Sequence, residues 1–303
     1  MRTLCLYNLA AISVKNMDIE NIFRGRTYWG EVIFYPLQPK DISSPGWLAY
    51  LHEINKVLII GGDGTLHHTI QYLINKPVEI NLVPGGTAND FACWIGLSLN
   101  PLKSLDQLEH GKTIKYDTIN ANGQHIVSGG GFGMGCLVVE NASRLKKSRK
   151  WALLIKLAGD KIYSLLLVWH SIFDPNKACS FKIIDNGNVW EYKSHACVFT
   201  NQASLGKNIV VARGTRAADG LFNFLLFKNP SCPSLLYSIL KIKMGLGGKD
   251  RYQCRREVNK ISIHCDKRLS AFGDGEIIPE SEHWDICCHK ASLNMRVPER
   301  FNG

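Results

Sequence analysis

The chain has 303 residues, enough for about two domains at roughly 100–200 residues each. Hydrophobic residues make up 45% and charged residues 20%, which excludes a disordered, collagen-like or coiled-coil chain. Thirty-six Lys and Arg against 26 Asp and Glu give a formal charge of +10. That surplus suits a polyanion but does not choose among nucleic acid, an anionic membrane surface and nucleotide phosphates.

The ten cysteines are scattered through apolar segments, with no C-x-x-C pair and no zinc-type spacing. They read as reduced, mostly buried thiols of a cytosolic protein. No apolar run reaches the roughly 18 residues of a transmembrane helix. Leu4 to Val14 is fairly apolar, but Tyr7 and Asn8 interrupt it and no small-residue cleavage site follows. A first strand over Thr3–Leu9 is the better reading.

Strands and helices then alternate. Val57–Ile60 is a continuous apolar run ending in Gly61-Gly62, as expected of a strand buried on both faces. Leu66, Ile70, Leu73 and Ile74 recur at helical spacing, and Lys76-Pro77 closes that helix. Ile80–Val83 is the next strand, ending at Pro84-Gly85-Gly86. Phe91, Trp94 and Ile95 fit a short helix. Pro101 opens another, with Leu102, Leu105 and Leu108 on one face and Gly111 as its stop. This order predicts a parallel α/β layer.

From about residue 113 the texture becomes β-rich. Thr113–Ile119 and Gln124–Ser128 flank a hairpin signal, Asn122-Gly123. Further strands are expected over Ala178–Ile184, Trp190–Thr200, Leu221–Phe227, Lys260–Cys265 and His283–Cys288. The glycine cluster at 129–135 reads as a bulge or a close backbone approach. A strongly apolar segment, 151–173, follows a basic run, 144–150. It is either an amphipathic helix for a membrane surface or a core helix preceded by a solvated charge run.

The chemistry concentrates in turns. Gly61-Gly62-Asp63-Gly64-Thr65 lies between a strand and a helix, where free N–H groups and the helix dipole favour an anion. Asp63 amid those donors makes sense if it holds Mg²⁺ or takes a proton. A tight turn with Asp63 or Thr65 as N-cap is the plainer alternative. Pro84-Gly85-Gly86-Thr87-Ala88-Asn89-Asp90 repeats the arrangement after the next strand, so the two turns should lie side by side, where open α/β sheets bind ligands. Asp63 and Asp90 could share one water or metal network, with Asp117 joining. Gly111-Lys112-Thr113 lacks the P-loop's first glycine, which would fall at Asp106. Arg216–Leu221 and Phe272–Glu276 each look like a β-turn when taken alone.

Taken in order, GGDGT (61–65), PGGTAND (84–90), ADGL (218–221) and DGE (274–276) resemble the diacylglycerol kinase catalytic-domain family. That family groups soluble bacterial lipid kinases with sphingosine and ceramide kinases and is related to NAD kinases. The resemblance covers nearly the whole chain. It implies an NAD kinase-like α/β nucleotide-binding domain with a parallel sheet, over 1–119 with a return at 289–303. A mostly antiparallel β-sandwich, 120–288, would take the lipid.

It further implies ATP and Mg²⁺ as cofactors. Gly61, Gly62, Asp63, Gly64, Thr65, Leu66, His67, Gly86, Thr87 and Asn89 would hold the nucleotide, with Asn8 as a further contact. Asp63, Asp90 and Asp117 match the family's water-linked Mg²⁺ network. Asp219, with backbone oxygens of Arg216 and Leu221, matches a structural magnesium site. Glu276, then Asp274, match the acid/base segment, and Asp63 completes the catalytic set. The implied activity is transfer of the γ-phosphate of ATP to a lipid hydroxyl, diacylglycerol or a related lipid. The enzyme would be cytoplasmic and peripheral to an anionic membrane. Nucleic acid is not an expected partner, and a homodimer is one arrangement open to the chain.

The chain departs from the family's pattern at several positions. Asn8-Leu9-Ala10-Ala11 replaces the glycine-containing loop after the first strand, His68 an acidic residue, and Cys93 an arginine. A kinase of a soluble acceptor and a catalytically silent lipid- or nucleotide-binding protein are the alternatives.

Overall fold

The computed structural model describes residues 1–11, 18–147, 178–185, 187–205, 209–227, 237, 240, 241 and 253–303. The expected helix over 151–173, and with it the membrane-facing segment, lies outside them. The chain forms two compact units, residues 1–117 with 291–303, and residues 118–290.

The first unit is built on a parallel sheet. Strands β1 (Arg2–Asn8), β2 (Glu31–Leu37), β3 (Lys56–Gly61) and β4 (Glu79–Pro84) run in the order β2-β1-β3-β4. Residues 294 and 295 of the last strand lie parallel beside β4. All six residues of β3 are buried, as a strand covered on both faces requires. Helices α1 (Asp63–Ile70), α2 (Asp90–Trp94) and α3 (Pro101–Glu109) follow β3 and β4.

Helix α1 is shorter than its apolar spacing predicts. Beyond Ile70 the N–H groups of Tyr72, Leu73 and Lys76 bond carbonyls three residues back, so the chain tightens while Leu73 stays buried. Asn75 is left-handed, with φ 57°, and donates its N–H to the Ser292 carbonyl at 2.8 Å. Helix α3 has Pro101 in its first turn, and the Asn100 side chain accepts the Lys103 N–H. Leu105 and Leu108 are fully buried, but Leu102 is 48% exposed, so the apolar stripe is narrower than expected.

The second unit is built on antiparallel pairings among its described strands. Strands β5 (Lys112–Ala121) and β6 (Gln124–Ile126) form a hairpin through Asn122 (φ 48°) and Gly123 (φ 90°), the backbone that an Asn-Gly turn favours. Next come β7 (Gly129–Gly133), α4 (Met134–Lys147), β8 (Cys179–Asp185), β9 (Asn188–Ser194) and β10 (Ala196–Thr200). The chain continues through β11 (Ser204–Leu205), β12 (Ile209–Val210), β13 (Phe222–Phe227), β14 (Gln253–Val258), β15 (Lys260–Gly273) and β16 (Glu276–Val297).

Two layers arise because β15 changes partners along its length. Its first part pairs with β8, whereas Ala271–Gly273 pair with β7, and the register against β16 shifts between His264 and Ala271. The chain also changes layers at Ser194-His195, which divides the expected strand Trp190–Thr200 into β9, paired with β8, and β10, paired with β7 and β13. The inward faces share one core, including Phe132, Phe181, Phe199, Phe222 and Trp284. This is the β-sandwich.

The glycine cluster is a regular strand rather than a bulge. Strand β7 is paired on both sides, with β10 and β15. A Cβ on Gly130 would lie 2.0 Å from the Phe272 carbonyl oxygen and 2.7 Å from the Phe199 ring. Only glycine lets these neighbours close.

Candidate functional site

In the first unit the two glycine turns meet. The Gly85 N–H donates to the Gly61 carbonyl at 2.8 Å, tying the ends of β3 and β4. A Cβ on Gly62 would lie 2.9 Å from Gly86 Cα, and one on Gly86 would lie 2.6 Å from Gly62 Cα. Two backbones at that separation leave room only for glycine. Asn89, left-handed at φ 53°, donates through its amide to the Gly86 carbonyl and accepts the Gly86 N–H, both at 2.8 Å. Thr87 lies inside the turn that this double grip closes.

Asn8 belongs to the same cluster. Its side-chain amide donates to Thr65 Oγ at 3.1 Å, and its side-chain Oδ1 accepts the Ala10 N–H at 2.9 Å. The short turn after β1 is thus fastened to the GGDGT loop, although it lacks glycine. Gly64 and Thr65 sit in the first turn of α1, whose dipole favours an anion. The Leu66 side chain is fully buried, and its N–H donates to the Gly62 carbonyl. The His67 side chain is also buried, edge-on to His68.

Asp63 accepts the backbone N–H groups of Asp90 at 3.1 Å and Phe91 at 3.2 Å. Those N–H groups stand at the start of α2, so Asp63 caps the second motif's helix from the first motif's loop. Asp117, on β5, is fully buried and accepts the Ala291 N–H at 2.6 Å. Among the described residues, no three His, Cys, Asp or Glu side chains gather closely enough to hold a metal ion. The available donors are hard carboxylate oxygens, which suit Mg²⁺ reached by one or two carboxylates and otherwise through water.

In the second unit the DGE segment is a two-residue hairpin turn. Gly273 pairs with Glu276, while Asp274 (φ 51°) and Gly275 (φ 83°) occupy the left-handed positions of an Asp-Gly turn. Asp274 is buried, and its carboxylate accepts hydrogen bonds from Val127 and Ser128. One oxygen takes the Val127 N–H at 3.2 Å; the other takes the Ser128 N–H at 2.8 Å and Ser128 Oγ at 2.5 Å. Glu276 is half-buried, and no partner is found for its carboxylate among the described residues. The two acids therefore have different environments.

Nearby, His125 on β6 is pushed down to about 4, first by burial and then by His289. Its Nε2 lies 3.1 Å from the Asn120 amide nitrogen, whose oxygen accepts the Gly123 N–H. That arrangement suits a neutral imidazole with its proton on Nδ1, toward Thr118 Oγ.

Asp219 lies in an exposed turn. Its carboxylate accepts the Leu221 N–H at 2.9 Å, and Gly220 is left-handed at φ 82°. One carboxylate oxygen thus fastens the turn.

Ser128 escaped sequence reasoning. It lies outside the four motifs, and only folding brings it to Asp274. Of the cysteines, all nine that are described are free thiols. No helix among the described residues is long and apolar enough to cross a membrane.

Residues 45–121 match the model of the diacylglycerol kinase catalytic domain. A Staphylococcus aureus protein named "Putative lipid kinase" is 24% identical over 238 residues, covering 77% of this chain and 74% of the relative. One from Staphylococcus haemolyticus with the same description is 33% identical over 103 residues, a third of either chain. A putative diacylglycerol kinase from Bacillus anthracis superposes with a TM-score of 0.77 at 17% identity, covering 99% of this chain and 96% of the other. An NAD kinase from Archaeoglobus fulgidus, solved with ATP, gives 0.53 at 15%, with 99% and 96% covered. Residues 45–121 are thus similar to the diacylglycerol kinase catalytic domain, and the fold is shared with the putative diacylglycerol kinase and, more distantly, with the NAD kinase.

Proposed function

We propose that this chain is an ATP-dependent lipid kinase that passes the γ-phosphate to a lipid hydroxyl, diacylglycerol or a close relative. The observation that carries this reading is the backbone contact between Gly62 and Gly86, with Asp63 beside it. A glycine-only contact at the ends of two parallel strands, next to the start of α1, is a place for phosphates. Phosphoryl transfer asks the protein mainly for positioning and charge neutralisation.

The N–H groups at the start of α1 and the turn closed by Asn89 would hold the phosphates. Asp63, Asp90 and Asp117 would reach Mg²⁺ directly or through water. Asp219 with the Arg216 and Leu221 carbonyls would hold a second, structural ion. Bound Mg²⁺ neutralises charge on the transferring phosphate. Glu276, the acid without a hydrogen-bond partner among the described residues, would take the hydroxyl proton, whereas Asp274 is already engaged by Val127 and Ser128. The +10 charge would draw the enzyme to an anionic bilayer, less strongly as salt rises.

The test is Mg²⁺-dependent transfer of label from ATP into diacylglycerol, monoacylglycerol, ceramide, sphingosine, undecaprenol and phosphatidylglycerol in mixed micelles, with a soluble NAD arm. Label in one lipid class, lost in Glu276→Gln, is the expected result. Label in NAD alone, or in nothing while ATP still binds, would reject the lipid kinase.

A further inference from the structure

Resting on the kinase reading above, we propose that Ser128 is a positioning residue for the reaction, fixing the Asp274-Gly275 turn from which Glu276 projects. The hydroxyl and N–H of Ser128 both donate to the Asp274 carboxylate. The same residue is held from its other side. Its carbonyl accepts the Asn201 N–H at 2.8 Å and Thr200 Oγ at 3.1 Å. The Asp274 N–H then donates to the Gly129 carbonyl at 3.0 Å, closing the turn onto the next residue of the same segment. Ser128 thus joins the end of β10 to the turn between β15 and β16.

The chemistry explains why a hydroxyl is needed there. Asp274 is a buried carboxylate, and a buried polar group costs free energy unless hydrogen bonds compensate. The donors of Val127 and Ser128 hold it aimed inward. Its backbone stays left-handed, an unusual conformation for a residue with a side chain. If one donor is removed, the carboxylate loses part of its reason to face Ser128. The turn then relaxes, and the next side chain but one, Glu276, loses its fixed origin. Asp274 is therefore not a second proton acceptor. It is the anchored end of the segment that presents the acceptor.

The experiment compares Ser128→Ala, Ser128→Thr and Glu276→Gln with the unaltered full chain. For each, kcat and the KM for ATP are measured with the lipid acceptor found in the micelle assay. Amide hydrogen exchange is followed over residues 270–280. Ser128→Ala should lower kcat roughly tenfold, the scale of one hydrogen bond to a charged group, with the KM for ATP unchanged. Exchange at Gly275 and Glu276 should quicken, while the remainder of the β15–β16 hairpin is unaffected. Ser128→Thr, which keeps the hydroxyl, should restore most of the rate.

An unchanged kcat, or equal loss in the Ala and Thr variants with both folded, would overturn the role. So would Gly275 and Glu276 amides in Ser128→Ala that exchange as in the unaltered chain. No transfer by the unaltered chain would overturn the kinase reading itself, together with this role. Transfer by the unaltered chain with a silent Ser128→Ala substitution overturns only the role.

Discussion

The Asp63 carboxylate accepts the Asp90 N–H at 3.1 Å, so one glycine motif caps the helix of the other. One side chain therefore has two jobs, and substitutions can separate them. Asp63→Asn keeps an acceptor oxygen for the start of α2, whereas Asp63→Ala leaves its N–H groups uncapped. Asp63→Ala should be about 1 kcal/mol less stable than Asp63→Asn, the usual worth of a cap. Both should lose phosphate transfer, because neither carries the charge. Urea unfolding of the two variants reads the first difference, and the micelle assay reads the second.

Gly62→Ala places a Cβ 2.9 Å from Gly86 Cα, against backbone rather than a yielding side chain. Overpacking of this kind costs about 1–3 kcal/mol. Separating the two turns should also weaken ATP binding at least roughly tenfold, the effect of about 1.4 kcal/mol. Thermal unfolding and ATP titration check the two effects.

Asp274 and Glu276 should respond differently to loss of charge. Asp274→Asn turns an NH2 group toward donors that need an acceptor. It should cost roughly 1–3 kcal/mol in stability. Glu276→Gln should leave stability nearly unchanged but lower kcat by about 10²–10⁴, the range for a lost general base. Chemical denaturation alongside kinetics distinguishes them. Equal destabilisation by both would contradict the separate environments.

A pH effect is expected from the far end of the parallel strands. Lys56 is buried at the start of β3, with its Nζ 2.9 Å from the Tyr28 ring centre and 3.8 Å from Glu79. Burial pushes its ammonium down from 10.5 to about 8, partly offset by Glu79. The folded value lies below the unfolded one, so folding releases a proton between about 8 and 10.5. The cost of the buried charge is present below that window and is relieved as pH rises through it. Over pH 8 to 10, the urea midpoint of the natural chain should rise relative to that of Lys56→Met.

The sequence by itself determined the elements whose signals are local. The apolar run Val57–Ile60 between polar and glycine neighbours specifies a buried strand. Asn122-Gly123 specifies its hairpin because both residues tolerate left-handed backbone. Pro101 and Asn100 start α3. Four short motifs in order carry the family resemblance. Tertiary structure decided what depends on distant neighbours. Helix α1 gives way after Ile70 to a tighter turn, and that turn ends at Asn75 on a hydrogen bond to Ser292, more than 200 residues away. The glycines at 129–133 form a central strand because Phe199 and Phe272 press on them from β10 and β15. Asp274 is a clamp and Glu276 is not, because Ser128, nearly 150 residues earlier, arrives beside only one of them. Local propensity specifies backbone conformation over a few residues, but the role of a carboxylate depends on its donors, and the fold brings those donors from elsewhere in the chain.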